Sequence, residues 1–192
     1  MNLGKMKSII NLIFINVVLL VISGCATKEF GYMQNGIDQF SFVQWDKDHA
    51  VTIRHIKQLD SYVYVSGKYD IQFFTHKSDK TPTWGNYTSN DIVTTAGFVD
   101  GKYTEIKGYD MGVTVKIDNY PVPSYRANNA QLIHGMAGGP VFNERGEVIG
   151  INIGLAKEPI EYGGQLYKVS VYIPYEIIKS EWKNYQEIIN KK

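Results

Sequence analysis

The sequence predicts an all-β domain that ends in one α-helix, and three observations point to that class. Aromatic residues make up 13% of the 192-residue chain, with 14 Tyr among them, and aromatic side chains suit the half-buried faces of β-sheets. Short segments rich in Val, Ile, Thr, Tyr and Phe alternate with turn-forming residues, which is typical of a sandwich or of barrels. Only the last segment has the period of a helix.

Nine segments have the composition of β-strands, and turn formers separate them. Asp100-Gly101 and Arg145-Gly146 fall between such segments, at points where a hairpin needs a positive φ. The predicted strands are 40–45, 50–54, 62–66, 70–74, 92–98, 103–107, 112–117, 148–153 and 166–173.

The last segment follows Pro174 and changes period. Ile178, Trp182, Tyr185 and Ile189 recur at intervals of four, three and four residues, with Lys, Glu and Asn between them. This spacing puts the apolar side chains on one face, so we expect an amphipathic helix packed on the β body.

The N-terminus has the pattern of an export signal. Lys5 and Lys7 precede an apolar run over 9–22, and Ser23-Gly24-Cys25 follows it directly. The run is short for a membrane-spanning helix. The segment 21–25 resembles the bacterial lipobox, which implies a signal peptide over 1–24, cleavage before Cys25 and lipid on its sulfur and new amino group. An uncleaved signal anchor beside a chance cysteine is the alternative.

Cys25 is the only cysteine, so no disulfide within the chain is possible and acylation would consume the one thiol. We expect residues 25–39 to be a polar, lipidated tether and residues 40–192 to be the domain. The partner expected for Cys25 is the membrane, through its lipid. Ala26 follows the cysteine, which by analogy with lipoproteins of two-membrane bacteria favours the outer membrane of the cell envelope.

Charge and side-chain spacing exclude several partners. Removing Lys5 and Lys7 from 20 basic side chains leaves 18 against 19 acidic ones, a balance that gives no sign of nucleic-acid binding. His49, His76 and His134 have no carboxylate or cysteine at ligand spacing in the sequence. The sequence therefore predicts no metal and no cofactor.

The segment 135–143 reads Gly-Met-Ala-Gly-Gly-Pro-Val-Phe-Asn, and 146–152 continues with Gly-Glu-Val-Ile-Gly-Ile-Asn. It resembles the nucleophile segment of trypsin-like serine peptidases, Gly-x-Ser-Gly-Gly-Pro followed by two strands. The resemblance implies that Ala137 stands at the nucleophile position and that the backbone N–H groups of Gly135 and Ala137 form an oxyanion hole, where bulky side chains would obstruct the tight turn.

Two upstream segments resemble the rest of that family's triad. Residues 50–55, Ala-Val-Thr-Ile-Arg-His, resemble the strand that ends in the general base, which implies that role for His55; Arg54 departs from the small residue usual there. Residues 68–74, Lys-Tyr-Asp-Ile-Gln-Phe-Phe, resemble the segment of the carboxylate that orients the base, which implies Asp70, with Asp91 as the alternative.

The resemblance also implies an architecture and a substrate pocket. It covers residues 40–189 in order and implies two six-stranded antiparallel β-barrels with the site in the cleft between them. Gln131 corresponds to the base of the specificity pocket in many relatives, and Ile151 and Asn152 are further expected pocket residues. A surface position on a hairpin is the alternative for Gln131.

Alanine carries no nucleophile, and residues 131–143 contain no Ser, Thr or Cys to replace one. The chain is therefore expected to be an inactive relative of serine endopeptidases that can still hold a peptide or protein. Two alternatives stay open. The sequence could record a Ser-to-Ala mutant of an active serine protease, or the lipoprotein could bind an envelope partner through its outer surface.

Overall fold

The computed structural model describes residues 29–35, 38–56, 59–117 and 120–191, so the expected signal peptide and Cys25 lie outside the described residues. Within those ranges the chain forms thirteen β-strands and one α-helix. They are β1 (Phe30–Asn35), β2 (Asp38–Gln44), β3 (His49–Thr52), β4 (Tyr62–Val65), β5 (Gln72–Thr75), β6 (Ile92–Val99), β7 (Lys102–Ile117), β8 (Tyr120–Asn128), β9 (Pro140–Phe142), β10 (Val148–Leu155), β11 (Ile160–Tyr162), β12 (Gln165–Tyr167), β13 (Ser170–Pro174) and α1 (Tyr175–Ile189).

The N-terminal half forms an antiparallel sheet. Its described strands run in the order β1-β2-β3-β5-β4. Val43, Val51 and Phe73 are fully buried and belong to one apolar core, which they share with residues of the C-terminal half. Since β3 ends at Thr52 and β5 starts at Gln72, His55 and Asp70 lie just outside the same end of two paired strands.

The C-terminal half is a closed barrel of six strands in the order β10-β13-β8-β7-β6-β9, all antiparallel neighbours. Strand β7 is 16 residues long and joins two segments that the sequence predicted as separate strands. The pairing register shifts between Asp110 and Thr114, and Gly112 has φ +67° there. A bulge of this kind lets one long strand bend around a barrel without losing its partners.

The expected all-β class with a C-terminal helix is confirmed. One of the two expected barrels is a closed six-stranded barrel, and within the described ranges the other unit is a sheet of five strands. Both predicted glycine turns are hairpin turns, with φ +49° at Asp100, +74° at Gly101 and +75° at Gly146. Strand β1 and the start of β2 lie before residue 40, the expected start of the domain.

Strand β1 belongs to the sheet because it pairs with β2 in antiparallel register, and its side chains make further contacts. Phe30 contacts Phe142 edge-on at 5.3 Å between ring centroids. Gly31 passes over the ring of Phe42, where a Cβ would lie 2.2 Å from Cζ. The stretch 30–35 is therefore part of the N-terminal sheet.

Helix α1 begins directly after Pro174 and packs on the N-terminal sheet. Ile178 is fully buried, and the Trp182 ring lies 4.8 Å from that of Phe73, centroid to centroid. The carboxylate of Glu181, itself only 2% exposed, accepts a hydrogen bond of 2.9 Å from the Tyr64 hydroxyl. In the part of the chain that the structure describes, no helix is both long and apolar enough to span a bilayer.

Candidate active site

His55 and Asp70 form a hydrogen-bonded pair. The Asp70 side chain is 2% exposed, and its Oδ2 is hydrogen-bonded to His55 Nδ1. Its other oxygen, Oδ1, accepts the backbone N–H groups of His55 at 2.8 Å and Arg54 at 3.1 Å. A buried carboxylate held by three donors fixes both the position and the tautomer of the ring.

The imidazole of His55 faces solvent on one side. Its side chain is 47% exposed, and the pKa of His55 is raised, first by the hydrogen bond to Asp70 and further by that carboxylate's charge, against an opposing effect of burial. The sequence departure at Arg54 also has a structural explanation, because its guanidinium turns away from the ring and donates to the Ser66 carbonyl at 2.7 Å.

The segment around Ala137 is a tight turn that needs glycine. Gly135 has φ +96° and Gly138 has φ +83°, a region that favours glycine. A Cβ on Gly138 would lie 2.1 Å from the Ser41 carbonyl oxygen. The turn is tied to β10, because Gly138 N–H donates to the Asn152 carbonyl at 2.7 Å and Asn152 N–H donates to that of Gly139 at 2.8 Å.

Ser41 on β2 holds the same turn from the other side. Its Oγ donates to the Gly135 carbonyl at 2.8 Å, and its backbone N–H donates to the Ala137 carbonyl at 2.7 Å. The same Oγ accepts the Phe98 N–H at 2.9 Å. The carbonyl groups of Gly135 and Ala137 thus both accept hydrogen bonds from Ser41. The N–H groups of the same two residues have no acceptor among the described residues.

Replacing Ser41 with alanine should destabilise the domain by about 1–3 kcal/mol, because the Gly135 carbonyl and the Phe98 N–H would lose their buried partner. Urea denaturation followed by tryptophan fluorescence measures the change. Ser78→Ala is the matched control, since Ser78 is also buried but its Oγ bonds, among the described residues, only to the backbone of Lys80, two residues away. If Ser41→Ala lowers the free energy of unfolding no more than the control does, the proposed role of Ser41 in holding the turn is contradicted.

His55, Gly135 and Ala137 line one open cleft of about 380 Å³. The other lining residues are mostly apolar, with two ionisable side chains and one amide among them. They are Ile56, Leu132, Ile133, Gly154 and Leu155, together with Asp38, Gln39 and His134. The volume falls in the range of small-ligand and peptide sites.

The expected pocket residues lie outside this cleft. Gln131 is exposed and Ile151 and Asn152 are fully buried, and none of them lines this cleft. The Asn152 amide donates to the Ala96 carbonyl at 2.9 Å and so fills a structural role inside the barrel. Gly154 and Leu155, further along the same strand, line the cleft instead.

Other candidate residues lie away from the cleft. Asp91, the alternative orienting carboxylate, is exposed and does not line it. His49 has a carboxylate partner that its spacing did not suggest, since its Nδ1 lies 2.8 Å from Asp46 Oδ1. No group of three or more His, Cys, Asp or Glu within the described ranges could hold a metal ion.

The sequence matches no protein-family model and no curated protein, but solved structures resemble the fold. The HtrA-type protease AlgW, as a Ser-to-Ala variant with a tripeptide, superposes with a TM-score of 0.64 at 16% identity, over 81% of this chain and 59% of AlgW. A Ser-to-Ala mutant of Rv3671c from M. tuberculosis, in its inactive form, gives 0.64 at 13%, over 83% and 87%. The MamO protease domain from Magnetospirillum magneticum gives 0.62 at 15%, over 82% and 97%.

Proposed function

Because the chain has the fold of trypsin-like serine proteases and alanine at the nucleophile position, we propose that it is a pseudopeptidase, which binds peptides in its cleft without cleaving them. The observation that carries this proposal is one cleft lined by His55, Gly135 and Ala137. The base, the backbone donors and the binding volume are present together, and one hydroxyl is missing.

Without that hydroxyl the acyl-transfer chemistry cannot start. In a serine peptidase the imidazole takes a proton from the nucleophile, which then attacks the scissile carbonyl. The side chain of Ala137 is a methyl group, so His55 has no proton to accept and no acyl intermediate can form. The remaining acceleration, on the order of 10³ to 10⁴ over water, is negligible for a peptide bond.

Peptide binding needs none of the lost chemistry. The cleft keeps its apolar lining, and Gly154 leaves it open, since a Cβ at that position would meet no atom within 4 Å. The resembling AlgW structures contain a tripeptide and a decapeptide, which supports peptide binding as a property to test in this chain.

We place this activity at the cell envelope, through lipid on Cys25. The sequence pattern before Cys25 supports this proposal, and metabolic labelling with a radioactive fatty acid tests it. We expect the wild-type chain to incorporate label and the Cys25→Ser variant to incorporate none. Equal labelling of the two chains, or no labelling of either, would remove the anchor from the proposal.

Filling the cleft should abolish peptide binding. Gly154→Trp adds a large side chain where the cleft is open, and we expect a fall in affinity of at least about tenfold, since steric exclusion removes most of the buried ligand area. The measurement is fluorescence anisotropy with a pool of labelled random peptides and the full chain in mild detergent. Gly67→Trp is the matched control, because Gly67 is exposed, has open space and does not line the cleft.

If both variants bind as the wild type does, the peptides bind elsewhere on the surface and the cleft is not the site. If the wild-type chain binds no peptide at all, the proposed function fails. Selective loss in Gly154→Trp is the result that supports it.

A further inference from the structure

The cleft contains more hydrogen-bond donors than the described residues satisfy. The N–H groups of Gly135 and Ala137 have no acceptor in the described part of the chain. The Nδ1 of His55 is taken by Asp70, which leaves Nε2 without a protein partner among the described residues. The side-chain nitrogen of Gln39, also a lining residue, is buried and has no partner in the part of the chain that the structure describes. Unsatisfied donors of this kind point to a ligand rich in acceptors.

The missing hydroxyl determines which acceptor fits. An internal peptide carbonyl offers one neutral oxygen, which the two backbone N–H groups can take, and it leaves His55 Nε2 without an acceptor. A carboxylate offers two oxygens and a negative charge, and charge-assisted bonds are about twice as strong as neutral ones. With a methyl group at position 137, no serine hydroxyl competes for His55 Nε2 or occupies the space of a second oxygen.

We propose that the preferred ligand of this cleft is the free C-terminus of a peptide, with one carboxylate oxygen on the N–H groups of Gly135 and Ala137 and the other on His55 Nε2. This inference rests on the proposed function and names its ligand class. The apolar lining from Leu132, Ile133 and Leu155 favours an apolar terminal residue. The Gln39 amide lies beside this site, since its Cδ is 3.6 Å from the position of a Cβ on Gly135, and it offers an additional donor for a backbone carbonyl.

The interaction should depend on pH in one direction. Since Asp70 raises the pKa of His55, the ring is cationic over a wider range, and the ion pair with a carboxylate is complete below that pKa and lost as pH rises through it. The other charged groups nearby are Asp70 itself, Arg54, which points to Ser66, and the lining residues Asp38 and His134. His134 is a second imidazole in the lining of the cleft and therefore needs its own control.

The test compares two pools of random peptides that are identical except for the C-terminus, one with the free acid and one with the amide. Affinity for the full chain in mild detergent is measured by anisotropy at pH 6 and at pH 8. We expect the acid pool to bind at least about tenfold more tightly at pH 6, as for a charge-assisted contact, and the difference to shrink at pH 8. His55→Gln should remove the difference, whereas His134→Gln should keep it.

Three results would overturn the carboxylate inference. Equal affinity for acid and amide overturns the carboxylate inference and leaves peptide binding in place. No binding of either pool overturns both proposals. If the preference for the acid survives His55→Gln but disappears in His134→Gln, His134 and not His55 contacts the carboxylate. That result also overturns the inference.

Discussion

Replacing Ala137 with serine is expected to turn this chain into a hydrolase that a fluorophosphonate labels. The change adds one oxygen to a half-buried side chain at the edge of the cleft, where the His55–Asp70 pair is already assembled. Casein hydrolysis should rise by at least about 10³-fold over the alanine form, since the covalent route adds several orders of magnitude to a serine peptidase. Probe labelling on a gel and release of labelled casein fragments measure the two steps.

Two variants make this result specific. Ala156→Ser places a serine at another half-buried alanine outside the cleft and should neither label nor cleave. Adding Asp70→Asn to Ala137→Ser should lower the rate by about 10⁴-fold, because the ring loses the carboxylate that sets its tautomer. A folded Ala137→Ser chain that neither labels nor cleaves would show that the site has lost more than its serine, and the assignment of His55 and Asp70 would lose its support.

Removing the Arg126 guanidinium should destabilise the domain by about 3–5 kcal/mol, because it leaves a buried carboxylate without its counter-charge. Asp110 is 1% exposed, and its carboxylate accepts hydrogen bonds from Arg126 and, at 2.6 Å, from the Tyr172 hydroxyl. The guanidinium also lies 4.0 Å from the centre of the Tyr87 ring. Arg126→Met keeps most of the side-chain volume, so urea denaturation reports chiefly the loss of the charge.

The exposed pair Arg145–Glu147 provides the comparison, since its arginine side chain is 73% exposed. Arg145→Met should change the free energy of unfolding by less than about 1 kcal/mol. The double variant Arg126→Met with Asp110→Leu removes both charges and should recover part of the lost stability. Similar losses for Arg126→Met and Arg145→Met would mean that the buried pair contributes no more than a surface pair.

The parts of the fold that the sequence predicts are those with a local signal. Strand composition and the Asp100-Gly101 turn located most of the β-strands, and the four-three-four spacing located α1. Strand β8 was not among the predicted strands. Its sequence contains Pro121 and Pro123, and proline argues against a strand because it cannot donate a hydrogen bond to a neighbouring strand. Strand β1 was missed because its glycine and polar residues resemble a linker, whereas its pairing with β2 and the contact of Phe30 with Phe142 are features of the folded chain.

The candidate site, like the fold, could be predicted from the sequence only in part. The order of His55, Asp70 and the glycine-rich turn is visible in the chain, and the structure brings all three together. The lining of the cleft is not visible, because the register of β10 shifts between Asn152 and Gly154, and one extra residue changes which side chains face the site. Ser41 was missed for another reason, since it acts on a carbonyl 94 residues away.

The early start of the sheet sets how far this protein can reach. The described domain begins at Glu29, four residues after Cys25, and even a fully extended chain spans at most about 3.6 Å per residue, or roughly 14 Å in all. With lipid on Cys25, as we propose, the domain would sit against the bilayer surface and could not sample the space beyond it. Its ligands would then be the C-termini of proteins within about one domain diameter of the membrane. Proteins farther from the membrane in the same compartment would not be bound.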